Sequence, residues 1–534
     1  MSNLKKAILI VIAILIVVLI GVGAYLWFGV VGIDEKRIYS ESKIVDENVN
    51  TGKTVLDETA TYQVMNGFGA SACWWSQDVG SWENRDDIMA LLYDKEKGIG
   101  LNIYRYNLGA GSKGDSHILT ENRATECFMK DSSGTYDFES TDISAKECLN
   151  LAKKHAGDDL RVTLFCNSPP VFLTKNGAGY GAPLKEDEEW VTNLDSSNYQ
   201  AFADYCYTCT EHFINEGYRV TDISPVNEPQ YSWAAWYNDD ATYSVNQEGC
   251  HYSKTETRDL LKVMVNRFSE TDVEKNGCRV SMFESGSAEG KDSSCAAYYD
   301  CILGKGPKYV FNNEILRDYF DSVSVHSYWS STEDKEKAAQ YLSSKYSTYD
   351  VAATEYCQMT NDENTGVFDL ISAEKDGTNG MTIDYGVAMA KVIVDDLTIL
   401  NAKEWDWWTA CSYGVYPDGL IYLNPDNHDD IQLSKRFWCL GNFSRFIDEG
   451  ATRIAGSSGV DGVSSCAFVN PNNKTVIVYV NNTAEDKNTQ ITTTGDYEVY
   501  TTSDKYDLEK TADGTAGDVN VELPSMSVVT VIYK

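Results

Sequence analysis

Apolar positions along the chain fall into four regimes. The first is one unbroken run from Ala7 to about Val31, preceded by Lys5 and Lys6 and followed by Asp34, Glu35 and Lys36. At about 1.5 Å of rise per residue, roughly 25 helical residues reach across a hydrocarbon layer of about 30 Å. The pattern predicts a cytoplasmic tail over residues 1–6, a transmembrane signal-anchor over 7–31 and a polar linker over 32–44. The lysines belong on the inner side, so the rest of the chain is expected outside a single-pass cell membrane. A cleaved signal with its processing region at Gly21, Gly23 and Ala24 is the competing reading, which would leave a secreted chain.

Between residues 66 and 446 the apolar runs are short. Eight of them centre near Phe68, Tyr104, Leu164, Ile223, Met282, Val325, Ala353 and Trp407. Stretches of helical periodicity separate them, as at Ile88–Leu92 and Leu260–Met264. Strand and helix in alternation imply parallel strands. Eight such units predict an α/β fold, a (β/α)8 TIM barrel over 66–446. An open doubly wound sheet is the alternative, but no GxGxxG follows the first strand to make a dinucleotide site. From 447 the pattern is all β, with strands at Thr475–Val480, Tyr497–Tyr500 and Val528–Tyr533 between Asn, Gly and Asp clusters. This segment, 447–534, is expected to form an appended all-β sandwich domain to which 45–65 adds strands.

Composition narrows the partners. A formal net charge of −35 over 534 residues argues against nucleic acid, since phosphate binding needs clustered Lys and Arg. A neutral substrate fits better than a polyanion. With 34 Tyr and 12 Trp the chain has rings to stack on sugars as well as to fill a core. The fourteen cysteines permit disulfides but their spacing assigns none. Cys206 and Cys209 form a CxxC, yet they share helical spacing with Phe202 and Phe213, so they read as core sulfur. No second CxxC, HExxH or DxDxDG loop is present, so no metal and no cofactor are expected, nor an obligate protein partner. N-x-S/T triplets stand at Asn442, Asn473 and Asn481.

Three glutamates are the first charges after apolar strands. Glu228 ends Ile223-Ser-Pro-Val-Asn227-Glu228-Pro229, Glu355 ends Asp350-Val-Ala-Ala-Thr-Glu355, and Glu284 follows Ser281-Met-Phe. Cleavage of a glycosidic bond uses two carboxyl groups that flank it, and a barrel places catalytic groups at the C-terminal ends of strands. By count, Glu228 and Glu355 fall on strands four and seven, across the mouth from each other. Glu284 reads better as a supporting or substrate-contact group. Each could also be a loop carboxylate that merely follows a strand.

Several motifs resemble glycoside hydrolase family 30. They are Asn66-Gly-Phe-Gly-Ala-Ser71 with Trp74-Trp75, Gly100-Leu-Asn-Ile-Tyr-Arg105-Tyr-Asn107, Asn167-Ser-Pro-Pro170, Ser224–Gln230, and Leu440–Ile447. The addition of Gln247-Glu-Gly-Cys250 is similar to the branch containing endo-β-1,6-galactanases. The resemblance covers about residues 45–534. It implies a barrel with a side sandwich, hydrolysis with retention, Glu228 as acid/base and Glu355 as nucleophile. It also implies that Asn227 bonds the sugar 2-hydroxyl, that Tyr328 orients Glu355 and that Arg105 favours its charged form. His326 is a further contact or a structural residue. Trp74, Trp75, Trp233, Trp236, Trp329 and Trp408 follow strand ends, and about half of them are expected to touch sugar. Tyr231-Ser-Trp233 and Asp448-Glu449-Gly450 depart from the family pattern. The expected function is therefore an extracellular retaining β-glycosidase, endo-acting on a neutral polysaccharide such as β-1,6-galactan. Xylanase, β-1,6-glucanase and β-xylosidase activities are alternatives within the family. A surface protein that binds glycan without cutting it is the alternative outside enzymology.

Overall fold

The computed structural model describes residues 50–185, 188–290, 293–304, 313–358, 380–414 and 416–534. The expected anchor and linker lie outside the described residues. Among those described, no helix is long and apolar enough to cross a membrane.

All eight apolar runs coincide with one ring of parallel strands. In order these are Gly67–Ser71, Ile103–Asn107, Arg161–Phe165, Arg219–Ser224, a fifth strand in two pieces, Ser322–His326, Asp350–Tyr356 and Ala402–Trp407. The eighth pairs with the first. The fifth strand is where the ring closes. Its first piece, Arg279–Val280, pairs with strand four, and its second, Glu284–Ser285, pairs with strand six. Further bonds run from Ser281 N to Ile223 O at 2.8 Å and from Glu284 N to Val226 O at 2.9 Å. Strands covered on both faces carry no alternation, which is why these runs read as continuous.

Helices cover the ring, among them Arg85–Tyr93, Tyr199–Asn215, Lys254–Phe268 and Ile383–Thr398. Ser253 and Glu256 close a capping box at the start of Lys254–Phe268, satisfying two helix-end donors. Cys206 and Cys209 lie buried inside Tyr199–Asn215, and all fourteen cysteines are buried free thiols.

The C-terminal unit is a seven-stranded antiparallel sheet faced by a two-stranded one. The larger sheet runs Val55–Val64, Thr452–Ser457, Val463–Val469, Thr475–Asn481, Ser527–Tyr533, Tyr497–Thr502, Glu509–Gly514. Val55–Val64 precedes the barrel in the chain, so the sandwich draws strands from both sides of it. Thr475–Asn481 is buried at every position. Ile477 and Tyr479 face Ile491, Val519 and Val521 of the small sheet, while Val476, Val478 and Val480 join the core of the barrel. A second tie sits on the helix Lys435–Ser444. Asn442 Nδ2 donates to Thr530 Oγ1 at 2.9 Å, and Asn442 Oδ1 accepts from Thr502 Oγ1 at 2.6 Å. Asn442 and Asn481 are thus fully buried, which withdraws them as glycan acceptors, whereas Asn473 is exposed. Glu449, in the departure from the family pattern, bonds Arg161 at 3.1 Å and Arg219 at 2.8 Å and locks the barrel exit to strands three and four.

Two small sheets at the mouth had no counterpart in the sequence pattern. One joins Gly181–Leu184, Ala234–Tyr237 and Tyr243–Ser244, the other Cys411–Ser412, Ile421–Leu423 and Ile431–Leu433. Their strands have two to four residues, too few to show a period.

Candidate active site

Asn227 and Glu228 stand just past strand four. Glu228 N donates to Glu284 O at 2.9 Å, which fastens this turn to the fifth strand. Glu228 adopts φ +42°, a left-handed conformation that costs a residue with a side chain about 1–2 kcal/mol. Its carbonyl is held by Trp233 Nε1 at 2.8 Å and Tyr231 N at 3.2 Å. Trp233 and Trp329, also in the cleft, have positive φ as well. Glu355 stands near the end of strand seven. A register shift between the pairs Val325–Ala353 and His326–Glu355 inserts one residue there and re-aims the side chain.

Arg105, on strand two, is fully buried. Its guanidinium donates to Glu355 Oε2 at 2.6 Å, Glu284 Oε2 at 3.1 Å and Asn227 Oδ1 at 3.3 Å, and lies over the Phe165 ring at 3.6 Å. His326 is equally buried. Nδ1 meets Glu228 Oε1 at 2.7 Å, and Nε2 meets Glu284 Oε2 at 3.0 Å. Tyr328 OH donates to Glu355 Oε1 at 3.0 Å. Arg105, Asn227, Glu228, Glu284, His326, Tyr328 and Glu355 thus form one network. Glu284 sits beneath the other two glutamates, and His326 spends both ring nitrogens on carboxylates, so neither is placed as a free sugar contact.

One oxygen of Glu228, one oxygen of Glu355 and a ring nitrogen of His326 lie within 4.8 Å of one another, the one donor group among the described residues dense enough to hold a metal ion. Burial raises the pKa of Glu228; the His326 hydrogen bond and charge oppose this, and the charges of Glu355 and Glu284 add to it. Burial also raises Glu284, but Arg105 and then His326 more than reverse it and hold that carboxyl well below the usual range. Burial disfavours charge on His326, yet Glu355, Glu228 and Glu284 outweigh it and lift its pKa to about 10. The network therefore sets Glu228, whose pKa burial raises, beside Glu284, which Arg105 and His326 hold ionised.

A cleft of about 560 Å³ opens above this network. Trp74, Asn167, Asn227, Tyr328, Trp329 and Trp408 line it, as do Trp233 and Trp236. Trp329 and Trp236 remain 41% and 39% exposed. Trp75 corrects the expectation: it is 1% exposed, absent from the cleft wall, and donates its Nε1–H to Ser71 O at 3.0 Å. Of two adjacent rings after a strand, one faces out and one packs in. The Gln247–Cys250 motif resolves into separate tasks. Gln247 lines the cleft, whereas Glu248 is buried and accepts from Ala110 N, Ser112 and Thr125 Oγ1. Gly249 leaves room for the Trp233 ring, which a Cβ would meet at 2.4 Å. Arg123, Tyr231, Tyr416 and Asp418 also line the cleft. Tyr231 belongs to the departure already noted at Tyr231–Trp233, whereas Arg123, Tyr416 and Asp418 sit in segments too short to show a period, and no signal in the sequence singles those three out.

Known proteins match this chain along most of its length. Residues 51–422 match the family described as O-glycosyl hydrolase family 30, and residues 450–531 match its β-sandwich domain. An endo-β-1,6-galactanase of Hypocrea rufa is 23% identical over 420 residues, 74% of each chain. An exo-β-1,6-galactobiohydrolase of Bifidobacterium longum is 22% identical over 408 residues, 64% of this chain but 26% of that protein. The crystal structure of a conserved exported protein from Bacteroides fragilis superposes with a TM-score of 0.75 at 24% identity, covering 90% of this chain and all of the other. With a match across well over half of its length, and the barrel and sandwich that such a match requires, the chain belongs to glycoside hydrolase family 30 and is an O-glycosyl hydrolase.

Proposed function

We propose that the chain is a retaining β-glycosidase that cuts within a neutral polysaccharide, β-1,6-galactan first among candidates. Glu228 serves as acid/base and Glu355 as nucleophile. The observation that carries this reading is the approach of the two carboxyl groups, with oxygens within 4.8 Å. Retaining enzymes hold their pair about 5–5.5 Å apart, whereas inverting ones need about 6.5–9.5 Å to seat a water. In the first step Glu355 attacks the anomeric carbon, the bond to the leaving oxygen breaks, and Glu228 gives that oxygen its proton. In the second, water attacks the same carbon, Glu355 leaves, and the proton of the water returns to Glu228. Asn227, whose Oδ1 accepts from Arg105, serves as the partner of the sugar 2-hydroxyl. Burial of Glu228 keeps it protonated above the usual carboxyl range, and activity is lost as pH rises through its folded pKa.

The exposed ring Trp236, in the segment that follows Glu228, suits a chain continuing past the cut, and the named activity of the fungal relative supports galactan. The apolar run at 7–31 supports a single-pass anchor with the catalytic region outside the cell. Incubation of residues 32–534 with β-1,6-galactan, xylan and β-1,6-glucan, with anomeric products followed by NMR, tests the reading. The β-anomer should appear first from galactan, and Glu355→Gln should release nothing. First appearance of the α-anomer would refute retention, and cleavage of another glycan alone would refute galactan.

A further inference from the structure

The side of the cleft built after strands one, two and eight carries polar groups that the protein leaves unsatisfied. Trp74 is 7% exposed, and its indole Nε1–H has no acceptor. Asp418 is likewise 7% exposed, and its Oδ1 has no donor. Both line the cleft that holds Glu228 and Glu355. Asp418 is fixed in place: its carbonyl accepts from Thr409 N at 2.8 Å and from Trp407 Nε1 at 2.6 Å, at the end of strand eight. Arg123 also lines the cleft, lies 5.0 Å from the centre of the Trp74 ring, and has no ion pair among the described residues.

A buried donor or acceptor without a partner costs about 1–3 kcal/mol. Here the residues that carry one of each line a common cleft, beside a guanidinium. A sugar hydroxyl both donates and accepts, so neighbouring hydroxyls of one ring satisfy both groups. The position decides which ring. Glu228 protonates the leaving group, and Trp233 and Trp236 lie in the segment that follows it. Trp74, Trp408 and Asp418 belong to strands eight and one, away from it, where the sugar that becomes bonded to Glu355 must lie.

We propose that Asp418, with Trp74 Nε1 and Arg123, forms the hydroxyl-reading wall of this sugar's subsite and selects a neutral pyranose with free hydroxyls on ring carbons remote from the reacting one. The inference rests on the glycosidase reading of Glu228 and Glu355. The substrate class it names is a hexopyranoside or pentopyranoside unsubstituted at those carbons.

The test uses Asp418→Ala, Asp418→Asn and Trp74→Phe. The last keeps the ring and removes only its N–H, and urea midpoints report whether each variant folds. Turnover is measured on the glycan the wild type cleaves. Binding of the same oligosaccharide, and of analogues deoxygenated at C3 or C4 of the reacting sugar, is measured by calorimetry in a Glu228→Gln background. Asp418→Ala should lose about 10- to 100-fold in kcat/KM and in affinity for the parent sugar. For the matching deoxy analogue the further loss should be under about threefold, because the partner is already gone. Asp418→Asn, which keeps an acceptor oxygen, should recover most of the loss, and Trp74→Phe should show a smaller loss of the same kind. Equal losses for parent and every deoxy analogue, or Asp418→Ala and Trp74→Phe both within threefold of wild type, would overturn the proposal while leaving the glycosidase reading intact. If the wild type binds oligosaccharides but cleaves none, the glycosidase reading fails and the binding arm alone decides. Absence of both binding and cleavage overturns the two together.

Discussion

Replacing Arg105 by Met tests whether the network is held together by charge. Arg105 is fully buried, with ion pairs of 2.6 Å to Glu355 and 3.1 Å to Glu284. Two unit charges about 4 Å apart attract by about 4 kcal/mol at an effective dielectric constant of 20. The arginine's own desolvation offsets part of this. Removing one partner of a buried pair nevertheless costs about 3–5 kcal/mol, because a charge remains without compensation. For a unit this large, that is a fall in Tm of only about 3–5 °C, so urea midpoints are the better assay. The pH dependence follows from Glu284. Its folded pKa lies below its unfolded value of about 4.3, so pairing contributes stability that is present above that pH and lost as pH falls through the folded value. In Arg105→Met, burial is no longer opposed by the guanidinium and the carboxyl pKa moves up. The variant should therefore be destabilised in full at pH 7, and the gap to wild type should shrink toward about pH 4, where a protonated carboxyl needs no counter-charge. A deficit below about 1 kcal/mol at pH 7, or one of equal size at both pH values, would refute the reasoning.

Three further outcomes follow. His326→Asn removes a hydrogen bond and a charge that hold the pKa of Glu228 down, so the alkaline limb of kcat/KM should move to higher pH; a shift toward lower pH would show that His326 acts otherwise. Asn442→Ala removes the acceptor of Thr502 and the amide donor to Thr530 between barrel and sandwich and should cost about 1–3 kcal/mol in urea unfolding, with kcat unchanged at low temperature. The fourteen thiols are buried, so a thiol reagent should label almost none in the native protein and all of them in concentrated guanidinium; rapid native labelling of several would contradict the packing.

The eight barrel strands were legible because each is covered on both faces and must be apolar throughout. Glu228 and Glu355 were legible for the opposite reason: a carboxylate directly after such a strand is costly unless it is used. The same signal brought out Glu284; strand count set it apart as a supporting group, but that Arg105 and His326 hold it from beneath was not in the pattern. Trp74 and Trp75 show a similar limit. They are adjacent and chemically identical in the sequence, yet one lines the cleft and the other is packed in the core.

By itself, then, the sequence determined the order of strands and helices, the carboxylates at strand ends and the family, all properties of local pattern. Only the tertiary structure decided that residues 105, 228, 284, 326 and 355 form one network. It alone brought Asp418 and Arg123 to the cleft, and it turned two glycosylation triplets inward at Asn442 and Asn481. Those outcomes depend on which loops meet when eight strands close into a ring. Closure couples residues hundreds of positions apart, and no window along the chain contains both partners.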